Sequence, residues 1–184
     1  MKDILNIEDI QNIDKLENEY DLQRASVLDR ELKLMIDDHP EMIKKKKKVR
    51  QLIKDYEDKF WSDGDKVTDE QIEQSEKAEY VIGLEQRFVQ KRKDVIRKRL
   101  NYYEMTQQDL GAILGHPKSY MSELMNGVSQ FTMKDLVIIH RILEIDLKKL
   151  IPTYLQTDTR NQIKQTITRL NKPKLKLKKA DLTY

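Results

Sequence analysis

The chain has no cysteine among its 184 residues, which excludes disulfides, thiolate catalysis and cysteine-ligated zinc, and suits a reducing cytoplasm. Glycine and proline are also scarce. There are five and four of them, together less than half of the roughly 12% that average usage gives. Sandwiches, barrels and nucleotide-binding α/β sheets need such residues at their many turns. Their scarcity, with Glu, Lys, Gln and Leu abundant, predicts an all-α fold. No long apolar run exists either: the longest, residues 136–139, falls far short of the roughly 20 residues that cross a bilayer. No membrane partner is expected. The first ten residues carry Asp3, Glu8 and Asp9 where a signal peptide would need a basic start and an apolar stretch, so a cytoplasmic location is expected.

Charge is what the chain has in excess, at 36% of residues against about 25% in an average globular chain. The net +3 conceals a division. Residues 1–90 carry 16 Lys and Arg against 23 Asp and Glu, a net −7; residues 91–151 carry 11 against 7, a net +4; residues 152–184 carry 8 against 2, a net +6. The basic half suits a polyanion, whereas the acidic half is either solvated or meets something basic.

Apolar positions in residues 10–38 recur at helical spacing through Ile13, Leu16, Tyr20, Leu28, Leu32 and Met35, predicting one long amphipathic helix that ends before Pro40. A second helix follows through Val49, Leu52, Ile53, Tyr56 and Phe60, and the two should form a hairpin. Thr68 to Gln71 reads as a capping box, in which the Thr hydroxyl and the Gln amide each satisfy a free backbone donor. Helical periodicity then runs from Ile72 through Ile82 and Phe88 toward Tyr103, with Gly83 the one weak point. The run Lys44 to Lys48 spans more than one helical turn. It therefore lies in a loop or a frayed first turn, or one lysine snorkels across the core edge.

From residue 92 the pattern tightens into five short helices. The first covers 92–103. The second covers 107–114 behind an N-cap at Thr106, with small Gly111 and Ala112 where another helix can approach. The third covers 118–125, stopped by Asn126-Gly127; the fourth covers 133–143 behind Thr132; the fifth covers 146–150. Two short helices joined by the glycine-bearing turn Gly115-His116-Pro117 describe a helix-turn-helix. If Met121 and Leu124 face inward, Lys118, Ser119, Ser122 and Glu123 are left outward, where such helices meet base edges. Lys118 suits guanine and Glu123 suits the cytosine amino group. Tyr120, Asn126, Ser129 and Gln130 complete the expected DNA-contacting set.

Thr106-Gln107, Leu114-Gly115 and Asn126-Gly127, with the stretch 143–150, resemble the Cro/C1-type (XRE) family over about 60 residues. That resemblance implies a five-helix, lambda-repressor-like DNA-binding domain over residues 91–152, and gives Gln107 a phosphate-holding role. Residues 52–60 of the hairpin together with 121–127 resemble the HigA antitoxins. This second likeness implies pairing with a HigB-type, RelE-like toxin that cleaves messenger RNA. The chain departs from the HigA pattern in its lysine run, its longer linker over residues 62–80 and its basic tail.

The expected organisation is thus a helical N-terminal region over 1–90 as candidate toxin-binding part, the DNA-binding domain over 91–152, and a basic extension over 153–184. In the extension, Ile163, Ile167 and Leu170 suggest a helix, and the alternating Lys and Leu of 174–179 suggest an arm or an added strand. Ile145, Leu147, Ile151, Tyr154 and Leu155 lie in a stretch too short for one subunit to bury them all, so they are expected to form a homodimer interface. His39, His116 and His140 stand on separate elements without metal-ligand spacing, and no glycine-rich loop or nucleophile motif accompanies the carboxylates. Neither a cofactor nor enzyme activity is expected. The expected function is an antitoxin that neutralises its toxin by direct binding and represses its own operon by binding operator DNA as a dimer. The alternative is a stand-alone or phage-type regulator whose helical N-terminal half dimerises or senses a signal.

Overall fold

The structure, a computed structural model, describes residues 12–36, 39–40, 42–152, 157–171 and 174–175. It is all-α, with no strand among the described residues. Among the described residues seven α-helices follow one another: α1 (Glu19–Met35), α2 (Met42–Phe60), α3 (Asp69–Tyr102), α4 (Gln107–Leu114), α5 (Lys118–Asn126), α6 (Met133–Leu143) and α7 (Thr157–Arg169). Short 3-10 turns occupy Gly64–Lys66 and Leu147–Lys149. Among the described residues no helix is long and apolar enough to cross a membrane.

The helix α1 is shorter than the pattern predicted. Asn18 caps it by accepting from the Asp21 N–H, so residues 12–17 lie outside the helix. Helix α2 packs antiparallel on α1 as a hairpin, and their seam buries Ala25, Leu28, Leu32, Val49 and Leu52. The lysine run lies inside α2, not in a loop. Lys46 is the one that turns inward, only 7% exposed, and its Nζ meets Asp29 at 2.7 Å. Arg50 reaches the same carboxylate at 3.1 Å.

Thr68 accepts from the Gln71 N–H, but the Gln71 amide does not return to Thr68. It donates instead to the Phe60 carbonyl at the end of α2, so half of the expected capping box has become a staple between helices. From there α3 runs unbroken for 34 residues, about 50 Å at the α-helical rise. Its first half packs on α1 and buries Ala78, Ile82 and Leu84, and its second half supplies Ile96 and Leu100 to the C-terminal core. The expected boundary near residue 90 falls within this one helix, which packs on α1 and also enters the C-terminal core.

The C-terminal core joins Ile96 and Leu100 to Leu110, Leu124, Leu136, Ile139 and Leu143. Two complete capping boxes start its helices: Thr106 with Asp109 on α4, and Thr132 with Asp135 on α6. Each satisfies two backbone N–H groups that a helix start otherwise leaves unpaired. The expected fifth helix is only the 3-10 turn Leu147–Lys149, capped by Asp146. Ile145 is not exposed but buried in the core, and Leu147 and Ile151 pack partly against it. Tyr154 and Leu155 lie outside the described residues, as does most of 174–179.

Candidate functional site

Helices α4 and α5 meet at close quarters because of one glycine. A Cβ on Gly111 would come within 2.8 Å of the Met121 Cγ and 3.0 Å of the His116 carbonyl oxygen, so any side chain there would push the two helices apart. Gly115 ends α4 in the left-handed region at φ +78°, which glycine enters without penalty. His116 then donates from its backbone to the Gly111 carbonyl. Its imidazole Nε2 lies 3.0 Å from the Asp135 Oδ1, tying the turn to the start of α6. Burial alone would raise the Asp135 pKa, yet the Thr132 hydroxyl and backbone N–H, with His116, bring it below the ordinary carboxylate range. The exposed Asp109 is likewise lowered by its backbone and hydroxyl bonds to Thr106.

This frame fixes the roll of α5. Met121, Leu124 and Met125 are buried, whereas Lys118 is exposed and Ser119 and Ser122 are half-buried. Gln107, at the start of α4, reaches the Ser122 hydroxyl at 3.4 Å. These four residues come together, on α5 and the adjoining start of α4, as expected. Tyr120 is half-buried with its ring edge against His116, centroids 5.0 Å apart.

Glu123 does not join them. It is 6% exposed, and its carboxylate accepts from the buried Ser129 hydroxyl at 2.8 Å. Its carbonyl accepts from Val128 and Ser129 N–H groups around the left-handed Gly127. The placement of Glu123 and Ser129 as outward contacts is thereby corrected: they form an internal tie that ends α5. The outward strip consequently carries Lys118 without a carboxylate from its own helix, a better electrostatic match to phosphate.

The remaining expected contacts lie beside α3. The Asn126 side chain accepts from Lys93, Gln130 is exposed beside the same helix, and a Cβ on Gly127 would strike Val89 at 2.8 Å. Val128 goes further, packing with the buried residues of the N-terminal hairpin. Burial, and then the nearby Arg97, hold the Lys93 ammonium below its ordinary range, while Glu31 and Asp94 act the other way. Arg24 of α1 meets Glu85 of α3 at 3.1 Å, both side chains nearly buried.

Sequence reasoning did not single out Lys93, Val128 or Asp135. Only Asp135 carried a local signal, three residues after a capping threonine. The arrangement can present a short, rigid, polar and basic helix face, and it couples the end of that helix to the N-terminal half. No family model, curated protein or solved structure gives a significant match to the chain.

Proposed function

We propose that the chain binds double-stranded operator DNA sequence-specifically through α4 and α5, as a Cro/C1-type domain would, and that it represses its own operon. The observation that carries this reading is the Gly111–Met121 contact. It holds α5 against α4 with Lys118, Ser119 and Ser122 outward and Gln107 beside them. Such a strip offers donors to base edges from a helix narrow enough for the major groove, and Gln107 offers an amide to phosphate.

The test is selection of a site from random duplexes, followed by titration in increasing salt. Lys118→Ala and Ser119→Ala should relax sequence preference, because base contacts carry it. Gln107→Ala should weaken all duplexes alike. Affinity should fall steeply with salt as counterions are released. A flat salt response, or a footprint indifferent to all three substitutions, would refute the reading.

The finer proposal is that the protein is the antitoxin of a HigB/RelE-like mRNA-cleaving toxin, bound by the acidic N-terminal half. The net −7 of residues 1–90 supports it, since opposite potentials speed and select association. Because α3 packs on α1 and also supplies the C-terminal core, the full chain is the right reagent. Stoichiometric protein should stop mRNA cleavage by such a toxin in cell-free translation. Cleavage that persists at large excess would leave a DNA-binding protein without a toxin. A second reading, a stand-alone regulator whose helical half senses a signal, is favoured by the cavity between α1, α3 and the end of α5.

A further inference from the structure

A cavity of about 540 Å³ opens between α1, the middle of α3 and the segment 125–131 that follows α5. That volume is in the range of small-molecule sites. Val27, Leu28, Ile82, Val89 and Phe131 give it apolar walls. Around them stand five cations, Arg24, Arg30, Arg87, Arg92 and Lys93, against two anions, Glu31 and Glu85.

Three of the five cations are already engaged. Arg24 is held by Glu85, Lys93 by Asn126, and Arg92 lies over the Phe88 and Phe131 rings at 5.6 and 5.1 Å. Among the described residues Arg30 has only its helix neighbour Glu31, 3.9 Å away, and is mostly exposed. Arg87 has no charged or hydrogen-bonding partner among the described residues. Glu76 and Glu79 line an adjoining hollow with the same two arginines, but among the described residues neither forms an ion pair with them, so both guanidinium groups remain available at the rim.

Gly83 is the second observation. It lines the same cavity from the interior of α3, where glycine weakens a helix. Nothing crowds it: a Cβ there would meet only the Arg87 Nη1, at an ordinary 3.7 Å. Gly111 and Gly127, by contrast, are glycines because a Cβ would collide. Packing does not require glycine at position 83, and the effect of having it there is a wider cavity.

We propose that this cavity is a binding site for a small organic acid. The apolar body would lie between Val27, Ile82 and Val89, and the carboxylate would meet Arg87 and Arg30 at the rim. Charge-assisted bonds from guanidinium groups are the strong and orientation-specific means of holding a carboxylate, and the apolar walls account for selectivity toward an acid with a hydrophobic body. The floor is the segment next to α5, so the occupant and α5 share a wall. The site does not depend on what α5 binds, and its test uses no DNA.

The test is isothermal titration of the full chain with 2-naphthoate and with its neutral counterpart, 2-naphthamide. The acid should bind with Kd below about 100 μM, a modest affinity for a ligand of this size. The amide should bind at least about tenfold more weakly, having lost the charge-assisted bonds. The double variant Arg30→Gln, Arg87→Gln should bring the acid down to the level of the amide with the melting temperature held. Gly83→Leu should fill the cavity and abolish binding of both compounds while the protein stays folded by circular dichroism. Equal affinity for acid and amide, no binding below about 1 mM, or undiminished binding to Gly83→Leu would each overturn the proposal.

Discussion

The two cores of this molecule are built by different means. The C-terminal core is an apolar cluster of short helices, started by two full capping boxes and turned by left-handed Gly115 and Gly127. The N-terminal core has long helices. Both halves bury charge, but Glu123 and Asp135 find Ser129 and Thr132 within six residues, whereas Lys46 meets Asp29 on another helix and Glu19 accepts from the distant Tyr56 hydroxyl and Trp61 Nε1–H, each at 3.0 Å. Burial and Glu19 together push the Tyr56 hydroxyl far above the ordinary tyrosine range. Caps and glycine turns define one geometry from local sequence, which suits a helix face that must be presented without play. Buried polar groups raise the cost of any misplacement, because each must find its partner. The N-terminal half is thus held by a few specific long-range ties, and α3 with Val128 carries its position to the end of α5.

The sharpest way to break this comparison is to empty each core in turn. Leu32 in the first and Leu124 in the second are both fully buried. Replacing either with alanine should cost about 2–5 kcal/mol, the transfer term plus the cavity left behind. Since α3 and Val128 belong to both halves, the two losses should appear in one transition. Trp61, the sole tryptophan, packs against the N-terminal cluster, so its fluorescence reports the half in which Leu124 does not lie. In urea, Leu124→Ala should move the Trp61 midpoint as far as the far-ultraviolet circular dichroism midpoint. Separate midpoints would make the halves independent and remove the coupling.

What could be read from the sequence divides along the same line. The starts of α4 and α6 and the stops after α4 and α5 were legible because a capping threonine or a left-handed glycine acts within a few residues. So was the outward strip of α5, apart from Glu123. Helical spacing could not reveal that Glu123 turns in, because the reason is Ser129, beyond the end of that helix. Ile145 misled for a similar cause: the segment is short, but the core it joins is made by α3, α4 and α6. In the N-terminal half local spacing leaves the lysine run open and misreads Gln71 as the return half of a capping box, because their partners, Asp29 and the Phe60 carbonyl, lie on other helices. The continuity of α3 across Gly83 was open as well, since one glycine within a strong periodic pattern is tolerated or breaks it according to packing.

A smaller effect sharpens the account of the buried charge. Glu19→Ala would leave the Tyr56 hydroxyl and Trp61 N–H without their acceptor, at about 1–3 kcal/mol. Glu19→Gln keeps an amide oxygen where Oε1 sits and removes the carboxylate, whose Oε2 has no hydrogen-bond partner. Glutamine removes a buried charge and keeps the acceptor, at the cost of an amide NH2 where Oε2 finds no partner, so the Gln variant should melt above the Ala variant. If Gln costs as much as Ala, the negative charge itself holds this core, and Glu19 acts as an ion.

The smallest expected effect lies where the two regions join. Gly83 is inside α3 and a methyl there has room, so Gly83→Ala should stabilise the protein by about 0.5–1 kcal/mol, because alanine loses less backbone freedom on entering a helix. For a chain of this size that is a rise of roughly 1–4 °C in the melting temperature, measurable by calorimetry on the full chain. The sign matters more than the size. A gain would mean that glycine is kept at 83 against helix propensity, as a wall of the cavity and not as a packing contact. A loss would show that α1 and α3 approach more closely at this level than the open space beside Gly83 indicates, and the junction would then be a packed seam like that at Gly127 and Val89.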